Sequence, residues 1–228
     1  MSSSSTARLS VPDHVFARLS EAILGGVYQA GEFLPSQRAL AADLGVNMAS
    51  VREALGRLEQ VRLIDIRHGD GARVLDWRRS GGLEALLNTD LGDAESLLRD
   101  LFEARRLLLV ESARWAATRR TDEQVSSLIK LADAVALAVD DHATLLANWV
   151  FMAAVVEAAG NLVFQLVMNS VRDLYLPYAD AFAALVSERE QRAPLYLRVA
   201  HAIRDGEADE AADAMGELAD AQAVGMTG

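Results

Sequence analysis

The apolar positions of the chain change period part-way along it. Between residues 11 and 26, Val15, Leu19, Ile23 and Leu24 recur at helical spacing, and Gly25-Gly26 end the run. A loop over residues 29–35 leads to Ser36, a good cap for a short helix with Ala39, Leu40 and Leu44 inward. Gly45-Val46 break that helix. Asn47 caps a third, whose Val51, Ala54, Leu55 and Leu58 share one face. The period then drops to two. Residues 63–67 read as a strand, His68-Gly69-Asp70-Gly71 as a turn, and residues 72–75 as a returning strand. Asp-Gly between two β-like runs is a strong hairpin signal.

A polar stretch over residues 77–83, with Arg78-Arg79-Ser80-Gly81-Gly82, reads as a linker. Everything beyond it is helical in pattern. Residues 94–118 form one long amphipathic run, and Thr121-Asp-Glu-Gln124 is a capping box opening the next helix. Further helices are predicted over 142–159, stopped by Gly160-Asn161, then 162 to about 185, 192–204 and 208 to about 223, with Gly206 separating the last pair. With no β pattern and no repeat, an antiparallel bundle is the default. The expected fold is mainly α: an N-terminal winged helix–turn–helix with a β-hairpin wing, plus a C-terminal antiparallel all-α bundle. The expected domains are a disordered tail (1–10), the winged helix (11–76), the linker (77–83) and a helical domain for effector binding and dimerisation (84–228).

Composition narrows the class. Of 228 residues, 51% are apolar, enough for a substantial core. No run of about 20 apolar residues exists to span a membrane. The polar start, Met1-Ser-Ser-Ser-Ser-Thr6, reads as a loose tail and not as a secretion signal. The absence of cysteine excludes disulfides and thiolate-held metals. A soluble cytoplasmic protein is expected. The net charge of −11 looks wrong for a nucleic-acid binder, but it is unevenly placed. Residues 1–80 carry ten Arg and nine acidic residues, whereas the remainder carries 12 basic and 24 acidic ones. The arginine-rich first third suits phosphates and base edges; the acidic remainder would stay away from DNA.

Three helices and a hairpin in about 65 residues outline a winged helix–turn–helix, whose third helix presents its N-terminal residues to the major groove. Asn47, Met48, Ala49 and Ser50 occupy that first turn, and Arg52 lies away from the Val51/Leu55 side. An exposed helix N-terminus also attracts phosphate. The alternative is that Arg38 and Arg52 are ordinary solvated arginines; the hairpin favours binding.

Three separated blocks, LPSQRALAADLGV (34–46), SVREALGRLE (50–59) and IRHGDGARV (66–74), resemble the GntR family of bacterial regulators. The remainder resembles the family's FadR-type helical effector domain in LFEARR (101–106), ESARWAA (111–117), EAAGN (157–161) and AIRDG (202–206). The resemblance implies a homodimeric transcription regulator on double-stranded operator DNA with an inverted repeat, modulated by a small molecule. It places Arg38, Asn47, Met48, Ser50, Arg52, His68 and Gly69 on the DNA, with the last two at the wing tip. Many members carry Arg where this chain has Met48, which cannot pair bidentately with guanine.

Many FadR-type domains hold a divalent metal with one Asp and three His, two of them in a D-x-x-x-H spacing. The matching positions here are Asn148 and Met152, with Tyr196 and Leu218 for the other two His. His201 is rotated about 140° around the helix from 196. A neutral amide and a thioether do not suit a site built from His and carboxylate, so no metal and no other cofactor is expected. Members without the metal include the fatty-acid-responsive FadR proteins, whose ligand is a long-chain acyl-CoA. They are similar to this chain in RSGGLEAL (79–86) and in residues 161–175. Arg105, Asn148, Met152, Asn169, Arg172, Tyr175 and Tyr178 are the candidate ligand-binding residues. A small organic acid as ligand, or a helical domain kept only for dimerisation, stand as alternatives. No phosphate loop, nucleophile elbow or paired His–carboxylate spacing points to an enzyme, so there is no catalytic candidate.

Overall fold

The computed structural model describes residues 10–67, 71–82, 94–175 and 189–227, the side chains of 94–98, 173–175, 189 and 224–227 excepted. The chain divides into two compact units, Met1–Gly92 and Asp93–Gly228.

The first unit runs α1 (Val11–Leu24), α2 (Gln37–Leu44), α3 (Met48–Gln60), β1 (Ile64–Arg67), β2 (Gly71–Val74) and α4 (Trp77–Ser80). Ser10 starts α1 through a capping box with Asp13. Ser36 and Asn47 cap α2 and α3 by accepting from Ala39 N–H and Ser50 N–H. Gly45 ends α2 in the left-handed region, at φ 66°, where a side chain would be strained. Val51, Ala54, Leu55 and Leu58 of α3 are all buried, and they meet Val15, Phe16, Leu19 and Ile23 in one core. That core is the apolar pattern of the sequence with Phe16 added; Leu24 is only half-buried.

β1 and β2 pair antiparallel, Ile64 opposite Val74 and Arg67 opposite Gly71. The segment before α2, which the sequence presents as a loop, lies along the other edge of β2. Gly31 N–H donates to Val74 C=O (2.8 Å), Leu34 N–H to Ala72 C=O (2.8 Å), and Val74 N–H to Glu32 C=O (2.8 Å). The wing is thereby tied to the helices at its base. Trp77–Ser80 form one helical turn inside the stretch expected to be a linker; Asp76 caps it by accepting from Arg78 N–H (3.2 Å).

Among the described residues the second unit holds six helices: α5 (Ala94–Arg119), α6 (Asp122–Leu137), α7 (Asp141–Ala158), α8 (Leu162–Tyr175), α9 (Arg189–Asp205) and α10 (Ala208–Thr227). Thr121 and Gln124 form the capping box expected at α6, and Gly160 follows the end of α7 at φ 65°. α10 packs on α5 and α9, α6 on α9 and α7, and α5 on α7. Leu109, Ala113, Ala116, Phe151, Met152, Val155, Tyr196, Val199, Ile203, Met215 and Leu218 belong to one core cluster. Exposed acidic residues of α10 are paired at the surface by arginines of neighbouring helices. Arg106 grips Asp220 with two bonds (2.6 and 3.1 Å), Arg114 pairs with Asp209, and Arg198 bridges Glu210 and Glu217.

One pair clamps α1 to α3. Arg57 donates to Asp13 (2.5 Å) while its guanidinium stacks 4.4 Å from the Phe16 ring centroid. The Ser10 hydroxyl, then Arg57, then the Ser10 N–H hold the Asp13 carboxyl down at about pH 2. A depressed carboxylate pKa adds stability that is complete above the unfolded value and drains as pH falls through the folded one. The winged-helix melting temperature should therefore drop between about pH 4 and pH 2. Asp13→Asn should lie below wild type at neutral pH and flatten that acid limb, as read by thermal melts against pH.

Candidate nucleic-acid interface and helical core

The buried stripe of α3 decides what its other side offers. Asn47, Met48, Ala49, Arg52, Glu53 and Gly56 are exposed, with Met48 at 46%. Met48, Arg52 and Gly56 recur every four residues and form one outward row. Asn47 has two uses: its Oδ1 accepts from Ser50 N–H (2.8 Å), and its amide stays at the surface. Ser50 departs from the expectation that it faces the groove. It is 6% exposed, because it lies beside Val51 on the side of α3 that turns into the core. Arg38, in the first turn of α2, is exposed. His68 and Gly69 lie outside the described residues. On the wing strands, Arg67 at the turn end of β1 pairs with Asp65 (2.9 Å), while Arg73 of β2 donates to Gly31 C=O (3.1 Å).

Of the ligand candidates, the structure brings Arg105, Asn148 and Met152 to the interior of the helical domain. Asn148 and Met152 are 2% and 1% exposed, one turn apart on α7. Asn169 and Arg172 are exposed instead; α8 meets the core through Phe164 and Met168, and Asn169 lies about 100° round the helix from Met168. The Tyr175 side chain and Tyr178 lie outside the described residues.

Two residues not among the candidates complete the interior. Tyr196 Oη donates to Asn148 Oδ1 (2.9 Å), and Gln222 Nε2 donates to Asn148 Oδ1 (2.9 Å) and to Tyr196 Oη (2.8 Å). Arg105 in turn donates to Gln222 Oε1 (2.6 Å). Tyr196 stands edge-on to Phe151, with ring centroids 5.2 Å apart. Gln222 is fully buried on α10, one turn beyond Leu218. The signal for it was a lone polar residue continuing the apolar row Ala211, Met215, Leu218.

The donor set does not fit a divalent metal. Asn148, Met152, Tyr196 and Leu218, the positions the resemblance assigns to the family's ligands, offer a neutral amide, a thioether, a phenol and an alkyl chain, with no imidazole or carboxylate among them. The amide oxygen already accepts two hydrogen bonds. Among the described residues no three His, Asp or Glu side chains gather as a metal site.

A helix–turn–helix with a paired wing, the outer row of α3 exposed, and a separate helical unit define a regulator of the winged-helix class. Residues 12–74 match the family model of bacterial regulatory proteins, gntR family, and residues 100–221 match the FCD domain. The chain belongs to the gntR family and is a transcription regulator of the GntR/FCD type. It is 34% identical over 218 residues to the HTH-type transcriptional regulator Mce2R of Mycobacterium tuberculosis, covering 93% of this chain and 91% of that one. It is 31% identical to the HTH-type transcriptional repressor NanR of Klebsiella aerogenes, covering 90% and 81%. Among solved structures it is similar to Streptococcus agalactiae GntR, with a TM-score of 0.52 and 25% identity over 93% of this chain and 99% of that one.

Asn47→Ala removes the cap of α3. It should cost the winged helix about 1 kcal/mol, read by chemical denaturation monitored at helical wavelengths.

Proposed function

We propose that the chain is a homodimeric, sequence-specific repressor in the cytoplasm. On this reading it binds an inverted-repeat operator through the N-terminal face of α3 and releases it when the helical domain takes up a small effector. The observation that carries the reading is the exposed row Met48–Arg52, with Asn47 beside it, in a chain of this family. Arg38 would hold a phosphate from α2, and His68 and Gly69 would reach the minor groove from the wing. Arg52 supplies the guanidinium fork that reads guanine or clamps phosphate, and Met48 supplies an apolar contact of the kind that suits a thymine methyl. The name of the repressor NanR supports repression as the sign of control.

The effector favoured by the interior is a fatty acyl-CoA or similar lipid. What supports it is a core of Phe151, Met152, Met215 and Leu218 around a small neutral polar group, with the Arg105 cation beside it. A small organic acid is the second reading, favoured by that same guanidinium.

An operator selected from randomised duplexes supplies the test. Arg52→Ala should reduce its affinity to that for an unrelated duplex in a gel-shift titration, and unchanged affinity would remove α3 from the reading role. Met48→Arg should add a preference for guanine worth about 1–3 kcal/mol at one step of each half-site. Titration calorimetry with an acyl-CoA panel and a panel of small acids should give heat with the former and release of the operator. Heat with the acids alone would establish the second reading, and heat with neither would leave the helical domain to dimerisation.

A further inference from the structure

We propose that a hydrogen-bond relay, Arg105–Gln222–Asn148–Tyr196, braces the helical domain where relatives of this family would hold a metal, so that its stability and its operator binding are independent of divalent cations. The four side chains come from four helices: α5, α10, α7 and α9. Three of them are 0–2% exposed. Their directions follow from one constraint. A guanidinium donates and never accepts, so Arg105 turns Gln222 Oε1 toward itself at 2.6 Å. The Gln222 NH2 must then point inward, where its two hydrogens meet Asn148 Oδ1 (2.9 Å) and Tyr196 Oη (2.8 Å). With its oxygen accepting from Gln222, Tyr196 spends its own proton on Asn148 Oδ1 (2.9 Å). The result is a triangle of hydrogen bonds whose donor directions are set from Arg105.

That arrangement works against a metal. Asn148 Oδ1 already accepts two hydrogen bonds, so a cation entering there would break buried bonds that cost more to leave unmade than they add when formed. A metal ties helices together by drawing ligands to one point; here the relay ties four helices with neutral groups. Cutting it anywhere strands a polar group with little solvent.

The test uses the full chain. Elemental analysis of purified protein should find no stoichiometric metal. Melting temperature should not move with EDTA or with Mn2+, Ni2+ or Zn2+ at equimolar amounts. Tyr196→Phe and Gln222→Met should each lower it by about 3–8 °C, and the double variant should lose clearly less than the two losses added together, because both cut one network. Stoichiometric metal, or a melting temperature that falls with EDTA, would overturn the proposal whether or not the variants fold. Fully additive losses, or none, would overturn the relay. Operator affinity should be equal in EDTA and in Mn2+. This last arm rests on the proposed operator reading, whereas the stability arms do not, so loss of all operator binding would strike that reading and leave the relay to be judged on stability.

Discussion

The burial of one face of α3 governs the DNA-facing part of the molecule. Val51, Ala54, Leu55 and Leu58 are at most 2% exposed, and together they bury an area worth several kcal/mol. A helix so held cannot rotate without lifting those side chains into water. Its register about its own axis is therefore fixed, and with it the identity of the outward row. Met48 and Arg52 face out because Val51 and Leu55 face in. The cap at Asn47 sets where the helix begins, and the clamp of Arg57 on Asp13 and Phe16 keeps α1 across its back. The wing is subject to a similar constraint: its inner strand pairs on both edges, once with β1 and once with the segment before α2.

The helical domain solves a different problem. Its core is mostly alanine, valine, leucine and methionine, yet it keeps Asn148, Tyr196 and Gln222 inside. Buried polar groups are tolerable only when bonded to one another, and the Arg105 cation dictates how. Around this interior, salt bridges such as Arg106–Asp220 and Arg198–Glu210 tie α10 to α5 and α9 at the surface. Surface pairs of that kind add little each, but they explain why an acidic last helix lies against its neighbours without repulsion.

Much of this was legible from periodicity. The inward face of α3, the caps at Ser36, Asn47 and Thr121, the hairpin and the stop at Gly160 follow from local chemistry, and the structure has them where the pattern puts them; on α2, Leu40 is buried as expected but Ala41 takes the buried place expected for Ala39. What escaped depends on distant partners. Residues 31–34 pair as an edge only because β2 runs beside them; Gly-Glu-Phe-Leu is too short to show an alternation of its own. The first-turn position of Ser50 points to the groove, but a small polar side chain there fits equally well under the core, where it lies. Asn169 and Arg172 are polar positions on a helix expected to line a ligand site, but Phe164 and Met168 take the inward direction. Gln222 is not legible locally, because no local rule says that a buried amide four residues after Leu218 answers an arginine on another helix.

Met48 offers the most direct check, because it is a thioether on the proposed reading face. It is 46% exposed, whereas Met152 and Met215 are buried. Mild peroxide converts exposed methionine to the sulfoxide, and peptide mass analysis follows each site separately. With the selected operator at saturation, Met48 oxidation should slow several-fold while the buried methionines stay unreactive throughout. Met48 oxidation at the free rate, with the duplex demonstrably bound, would contradict the account.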